Sequence, residues 1–213
     1  MKQTTLDILK DLALRYPALS EIETDLISAT ELLCETYNNG GKVMLCGNGG
    51  SASDSLHIVG ELMKEFAIKR PLDEEIKKAL YAAGDDGYIA ENLQKALPAV
   101  SLVGVTALES AYANDAASDL GFAQQVLGLG SKGDALIGIT TSGNSKNVIY
   151  AVKTAKAKGI KTVALTGCSG GKIKDICDVA IIAPADETYK IQEYHLPIYH
   201  TVCLALENEF FGK

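Results

Sequence analysis

Short, nearly continuous apolar runs alternate with stretches of helical periodicity along this chain, and that alternation constrains its fold more than any other feature. The runs are KVMLCG (42–47), AVSLVGVT (99–106), GDALIGIT (133–140), KTVALTG (161–167) and VAIIAP (179–184). Strands that are apolar at every position, rather than every second one, are covered on both faces, as in a parallel sheet flanked by helices. The sequence therefore predicts an α/β fold: one domain over 1–213, with a doubly wound, five-stranded parallel sheet. Two helices broken at Pro17 precede the first strand and occupy 1–40. Helices are expected over 51–66, in the region ending at Val126, over 145–158, briefly after Gly167, and over 187–211. Residues 69–98 are charged, helix-prone and broken at GDDG, and read as a helical insertion.

Ligands of such sheets bind at the carboxyl ends of the strands, where two loops rich in Gly, Ser and Thr fall. Gly47-Asn-Gly-Gly-Ser51 joins a strand to a helix and leaves free backbone N–H groups at a positive helix end, a natural anion site. Gly47, Gly49 and Ala52 also satisfy the loose G-x-G-x-x-A dinucleotide pattern. No acidic residue follows a clear second strand about 20 residues on, where a ribose needs one. Thr140-Thr-Ser-Gly-Asn-Ser145 repeats the strand–turn–helix setting with four hydroxyls. One hydroxyl makes an N-cap; four suit a phosphate dianion.

The chain has only three histidines, His57, His195 and His200. His57 and Glu61, four apart, share a face of the helix after the first loop; Gln192 and His200, eight apart, share a face of the last helix. Together they offer nitrogen and oxygen donors suited to zinc or to proton transfer. Alone, His57 and Glu61 are equally an ordinary exposed helix pair. His195 reads as packing or a hydrogen bond at a subunit contact.

Composition narrows the rest. A net charge of −7 argues against a nucleic-acid surface, no apolar run approaches the length of a membrane span, and the charged start is unlike a secretory signal. The expectation is a cytoplasmic protein with a small-molecule ligand. Five cysteines, none in C-x-x-C spacing, read as reduced, buried thiols, Cys46 among them as a small residue ending a strand.

The segments CGNGGSASDSLHIVGELMKEF, AND (113–115), GITTSGNSKNV, ALTGCSGGKIKDICDVAIIAP and KIQEYHLPIYHTVCLALE, in this order, resemble the sugar isomerase (SIS) fold and, within it, the phosphoheptose isomerases. The resemblance implies isomerisation of sedoheptulose 7-phosphate to D-glycero-D-manno-heptose 7-phosphate, in a homotetramer with sites shared between subunits. It implies zinc on His57, Glu61, Gln192 and His200, with Glu61 as base and His200 as acid. Phosphate would lie on Thr140, Thr141, Ser142 and Ser145. The sugar would meet Asn48, Gly49, Gly50, Ser51, Asn114, Asp115, Glu61 and Gln192. The chain departs from the family at Lys64 and Glu65, where a Gly-Arg pair is usual, at Tyr189 and Lys190, and at the insertion. Other sugar phosphates are the alternative substrates. A non-catalytic tetrameric relative that binds a replication initiator is the alternative of another class, and such relatives lack the counterpart of His200.

Overall fold

The computed structural model describes residues 1–212. Helix α1 (Gln3–Arg15) leads through a 3-10 turn opened by Pro17 (Pro17–Ile22) into α2 (Glu23–Asn38). Then follow β1 (Val43–Gly47), α3 (Gly50–Met63), α4 (Glu74–Ala82), α5 (Tyr88–Asn92), β2 (Ala99–Ser101), α6 (Thr106–Asp115) and α7 (Gly121–Leu129). The chain continues through β3 (Ala135–Thr140), α8 (Lys146–Ala157), β4 (Lys161–Thr166), β5 (Val179–Ile182) and α9 (Thr188–Phe211). The five strands form one sheet in the order β2-β1-β3-β4-β5, and all four pairings are parallel.

The expected double covering is present. Leu45, Ile137, Val163 and Ile181 point to the face shared by α1, α2, α3 and α9; Met44, Leu136 and Ala164 point to the face closed by α7 and α8. Every residue of β1 and β3 is buried, which explains why these strands show no polar alternation. The order reverses between β1 and β3, so the Gly47–Ser51 and Thr140–Ser145 loops emerge side by side.

Some expectations shift. The second strand stops at Ser101: the Leu102 N–H makes a last bond to the Leu45 carbonyl at 2.8 Å, and Gly104 then takes a positive φ of 87°. The helix expected after Gly167 is a run of turns, and the first site helix ends at Met63. The 69–98 segment does hold two helices, separated by a turn in which Gly84 and Gly87 have positive φ and Asp85 accepts the N–H groups of Ile89 and Ala90. Cys34, Cys46 and Cys203 are buried and free, and burial pushes the Cys46 thiol up to about 12. Cys168, contrary to expectation, is exposed and Cys177 is partly so.

Candidate functional site

Helices α3 and α9 pack side by side and run in the same direction, since Gly50 adjoins Gln192 at one end and His57 adjoins His200 two turns on. His57 is the hub. Its Nε2 lies 3.2 Å from Glu61 Oε1 and 3.5 Å from His200 Nε2, with the two imidazoles edge-on at 85°. Its other nitrogen, Nδ1, is 2.9 Å from the hydroxyl of Tyr199. Burial, followed by the neighbouring His57, pulls the His200 pKa below its ordinary value, while Glu61 opposes the shift. The neutral imidazole, which accepts a proton or ligates a metal, is thereby favoured. Phe66 covers the His200 ring at 5.4 Å.

Gln192 stands apart from this group. Its amide packs where a Cβ on Gly50 would sit, and eight residues of helix, about 12 Å, separate it from His200. Within one chain the four residues paired by spacing do not gather at one point. Zn–N bonds of about 2.0–2.1 Å at tetrahedral angles set ligand atoms about 3.4 Å apart. Both His57 contacts match that length, so the donor types and two spacings fit a metal. Among the described residues, however, no three His, Cys, Asp or Glu side chains already enclose a common point.

The hydroxyl loop is shaped by its neighbours. Thr140 Oγ1 and Ser145 Oγ share a hydrogen bond of 2.9 Å, and the hydroxyl of Ser142 accepts the Asn144 N–H at 3.2 Å. Gly143 has a φ of 66°, and a Cβ there would fall on the Gly170 carbonyl, so only glycine brings this loop against the turn after β4. Ser145 precedes α8 without a side-chain cap bond of its own, and in the first turn only the Val148 N–H is taken by a side chain, Asn147 Oδ1 at 3.0 Å. The Gly47–Ser51 loop enters α3 through Gly49 at φ 55°, also with no side-chain cap. The loops are joined by a reciprocal amide pair: Asn48 Nδ2 donates to Asn147 Oδ1 at 2.9 Å and Asn147 Nδ2 to Asn48 Oδ1 at 2.8 Å.

A cleft of about 530 Å³ opens beside this pair, lined by Asn48, Gly49, Thr106, Glu109, Phe122 and Asn147 among others. Ser51 is buried rather than presented to it, at 4% exposure. Asn114 donates to Asp115 at 2.7 Å on the exposed end of α6, and neither lines the cleft.

Spacing alone could not find Asn147, Glu109 or Tyr199. His195 is fully buried, with Nε2 3.2 Å from the Thr166 carbonyl. That fits the packing role read from sequence. Its Nδ1 lies 3.8 Å from Asp54 Oδ2, and both atoms lack a hydrogen-bond partner among the described residues.

Known proteins place this architecture. The SIS domain family matches residues 12–79 and 77–167. A phosphoheptose isomerase of Nitratiruptor sp. is 40% identical over 190 residues, 89% of each chain. The solved phosphoheptose isomerase of Neisseria gonorrhoeae is 35% identical, covers 93% of this chain and 91% of its own, and superposes with a TM-score of 0.69. That of Francisella tularensis is 30% identical, covers 91% of both chains, and gives a TM-score of 0.75. With such likeness across nearly its whole length, the chain belongs to the SIS domain family and, within it, to the phosphoheptose isomerases.

Proposed function

We propose that this chain isomerises sedoheptulose 7-phosphate to D-glycero-D-manno-heptose 7-phosphate, at the start of heptose synthesis. The observation that carries the reading is the His57–Glu61–His200 cluster between α3 and α9, in a chain of this family. Moving a carbonyl from C2 to C1 requires taking a proton from C1, returning it to C2, and stabilising the enediolate between. Glu61 is the carboxylate placed to carry that proton. His200, held neutral, has one N–H to give to the carbonyl oxygen and one lone pair to receive the hydroxyl proton. Phe66 packs against the His200 ring at 5.4 Å.

His57, Glu61 and His200 would hold a zinc ion, which would polarise the substrate oxygens when bound, and the ligand that carries a proton would swing away from it; Gln192, about 12 Å further along α9, lies outside this group. The phosphate belongs on Thr140, Thr141, Ser142 and Ser145, whose hydroxyls and helix end form the anion site.

Glu61 lies eleven residues along α3 from Gly50, about 16 Å from the first loop. The family resemblance implies a homotetramer in which sites are shared between subunits. No helix among the described residues is long and apolar enough to cross a membrane, in keeping with a cytoplasmic enzyme.

A turnover assay on several ketose phosphates, with and without a chelator, tests the reading. Conversion of sedoheptulose 7-phosphate, lost on chelation and restored by zinc, is expected. Absence of turnover by the metal-loaded protein would instead favour a non-catalytic role.

A further inference from the structure

The cleft beside the Asn48–Asn147 pair carries one charged group. Glu109, in the first turn of α6, lines it, and no Lys, Arg or His does. The Glu109 carboxylate makes no hydrogen bond or ion pair among the described residues, whereas its neighbours are already engaged. Ser110 donates to the Thr106 carbonyl at 2.7 Å, and the two Asn amides bond each other. An ionised carboxylate with no cation near it repels a phosphate dianion and attracts donors. The hydroxyl-rich end of α8 has the opposite character and lies across the amide pair.

From this division we infer that the cleft receives the polyhydroxyl chain of the substrate, and that Glu109 is a specificity-determining residue accepting hydroxyl hydrogen bonds from it. The inference rests on the sugar phosphate reading above and deepens it. The phosphate is fixed at Thr140–Ser145, the hydroxyl-bearing carbons pass the Asn48–Asn147 bridge, and Glu109 selects ligands long and hydroxylated enough to reach it. A cleft of about 530 Å³ has room for such a chain with bridging waters. Phe122 gives it an apolar wall that a carbon backbone can face.

Calorimetric binding to the parent, Glu109→Ala and Glu109→Gln proteins tests this, using sedoheptulose 7-phosphate, ribulose 5-phosphate, glucosamine 6-phosphate and inorganic phosphate. A charge-assisted hydrogen bond is worth enough that Glu109→Ala should weaken sedoheptulose 7-phosphate binding about tenfold. Glu109→Gln, which keeps an acceptor, should recover part of that loss. Binding of ribulose 5-phosphate should change less, and that of inorganic phosphate and the melting temperature not at all. In turnover, KM should rise more than kcat falls.

Equal weakening for sedoheptulose 7-phosphate and inorganic phosphate would overturn the inference, as would no change for either. So would a Glu109-dependent preference for the aminosugar, which would make the cleft an ammonium site. If the parent binds sedoheptulose 7-phosphate through Glu109 but never isomerises it, the functional reading fails and the assignment of Glu109 stands.

Discussion

Arg70 donates from Nε to Glu207 Oε1 at 2.8 Å, and neither side chain exposes any surface. The pair lashes the two site helices together. Arg70 also donates to the carbonyls of Leu62 at 2.7 Å and Glu61 at 3.2 Å, satisfying the end of α3. Glu207, on α9, accepts the N–H groups of Phe66, Ala67 and Ile68. Removing one partner of a buried pair strands the other charge, so Arg70→Ala should cost about 3–5 kcal/mol in urea unfolding. The double variant Arg70→Met with Glu207→Leu should not recover, because three backbone N–H groups lose their acceptor. Recovery to parental stability would show that those N–H groups find other partners.

Glu61→Gln and His200→Asn should each lower kcat by at least about a hundredfold, the lower end of what a positioned acid or base contributes. Circular dichroism and melting should stay near the parent for His200→Asn, whose ring is only partly buried. Parental turnover in either folded variant would remove that residue from the chemistry.

Ser142→Ala and Ser145→Ala should raise KM for a sugar phosphate by up to about tenfold each, the worth of one hydrogen bond to a charged group. Thr140→Ala differs, since Thr140 is buried and shares its bond with Ser145. It should weaken binding and also lower the melting temperature. Competition by inorganic phosphate separates these effects.

Gly50→Ala places a methyl on the Gln192 amide, which is flexible enough to move away. Stability should therefore change by less than about 1 kcal/mol while substrate affinity falls. A crystal structure of the variant should show Gln192 in another rotamer, and an unmoved amide would contradict the expectation.

Acid should destabilise the fold through Asp134 and Asp178. Burial pushes both carboxyls up, but Lys42 beside Asp134, and the Thr162 hydroxyl and N–H on Asp178, outweigh it and leave both below the usual carboxylate range. The unfolded chain, with a carboxyl pKa near about 3.9, takes up the proton first. Their contribution is thus complete above that value and lost as pH falls through the lower, folded value. Melting curves of Asp134→Asn and Asp178→Asn should differ most from the parent at about pH 6, and the difference should shrink as pH falls below the unfolded carboxyl value of about 3.9.

Sequence carried the sheet well because β1 and β3, and β4 from Thr162 on, are mostly apolar and buried at every position, a pattern that a doubly covered strand needs. It overran β2, since SLVGVT is as apolar beyond Ser101 as before it, and what ends the ladder is backbone geometry at Gly104. Helical spacing was enough to pair His57 with Glu61. It failed to place Gln192, because eight residues bring two side chains to similar faces of a helix without bringing them together along it. Tyr199 and Asn147 had no signal in the sequence, for their partners His57 and Asn48 lie 142 and 99 positions away.

The sheet order β2-β1-β3-β4-β5 is complete by Ile182, while α9 begins at Thr188. During synthesis from the N-terminus, a nascent chain can therefore assemble all five strands and still possess no His200, Tyr199 or Glu207. Until that last helix docks, the slot on α1, α2 and α3 leaves Leu26, Leu33, Ile58 and Leu62 uncovered. Maturation of the site and disappearance of the stickiest surface are thus a single late event, which makes the arrival of α9 the moment when a growing chain passes from client of the quality-control machinery to catalyst.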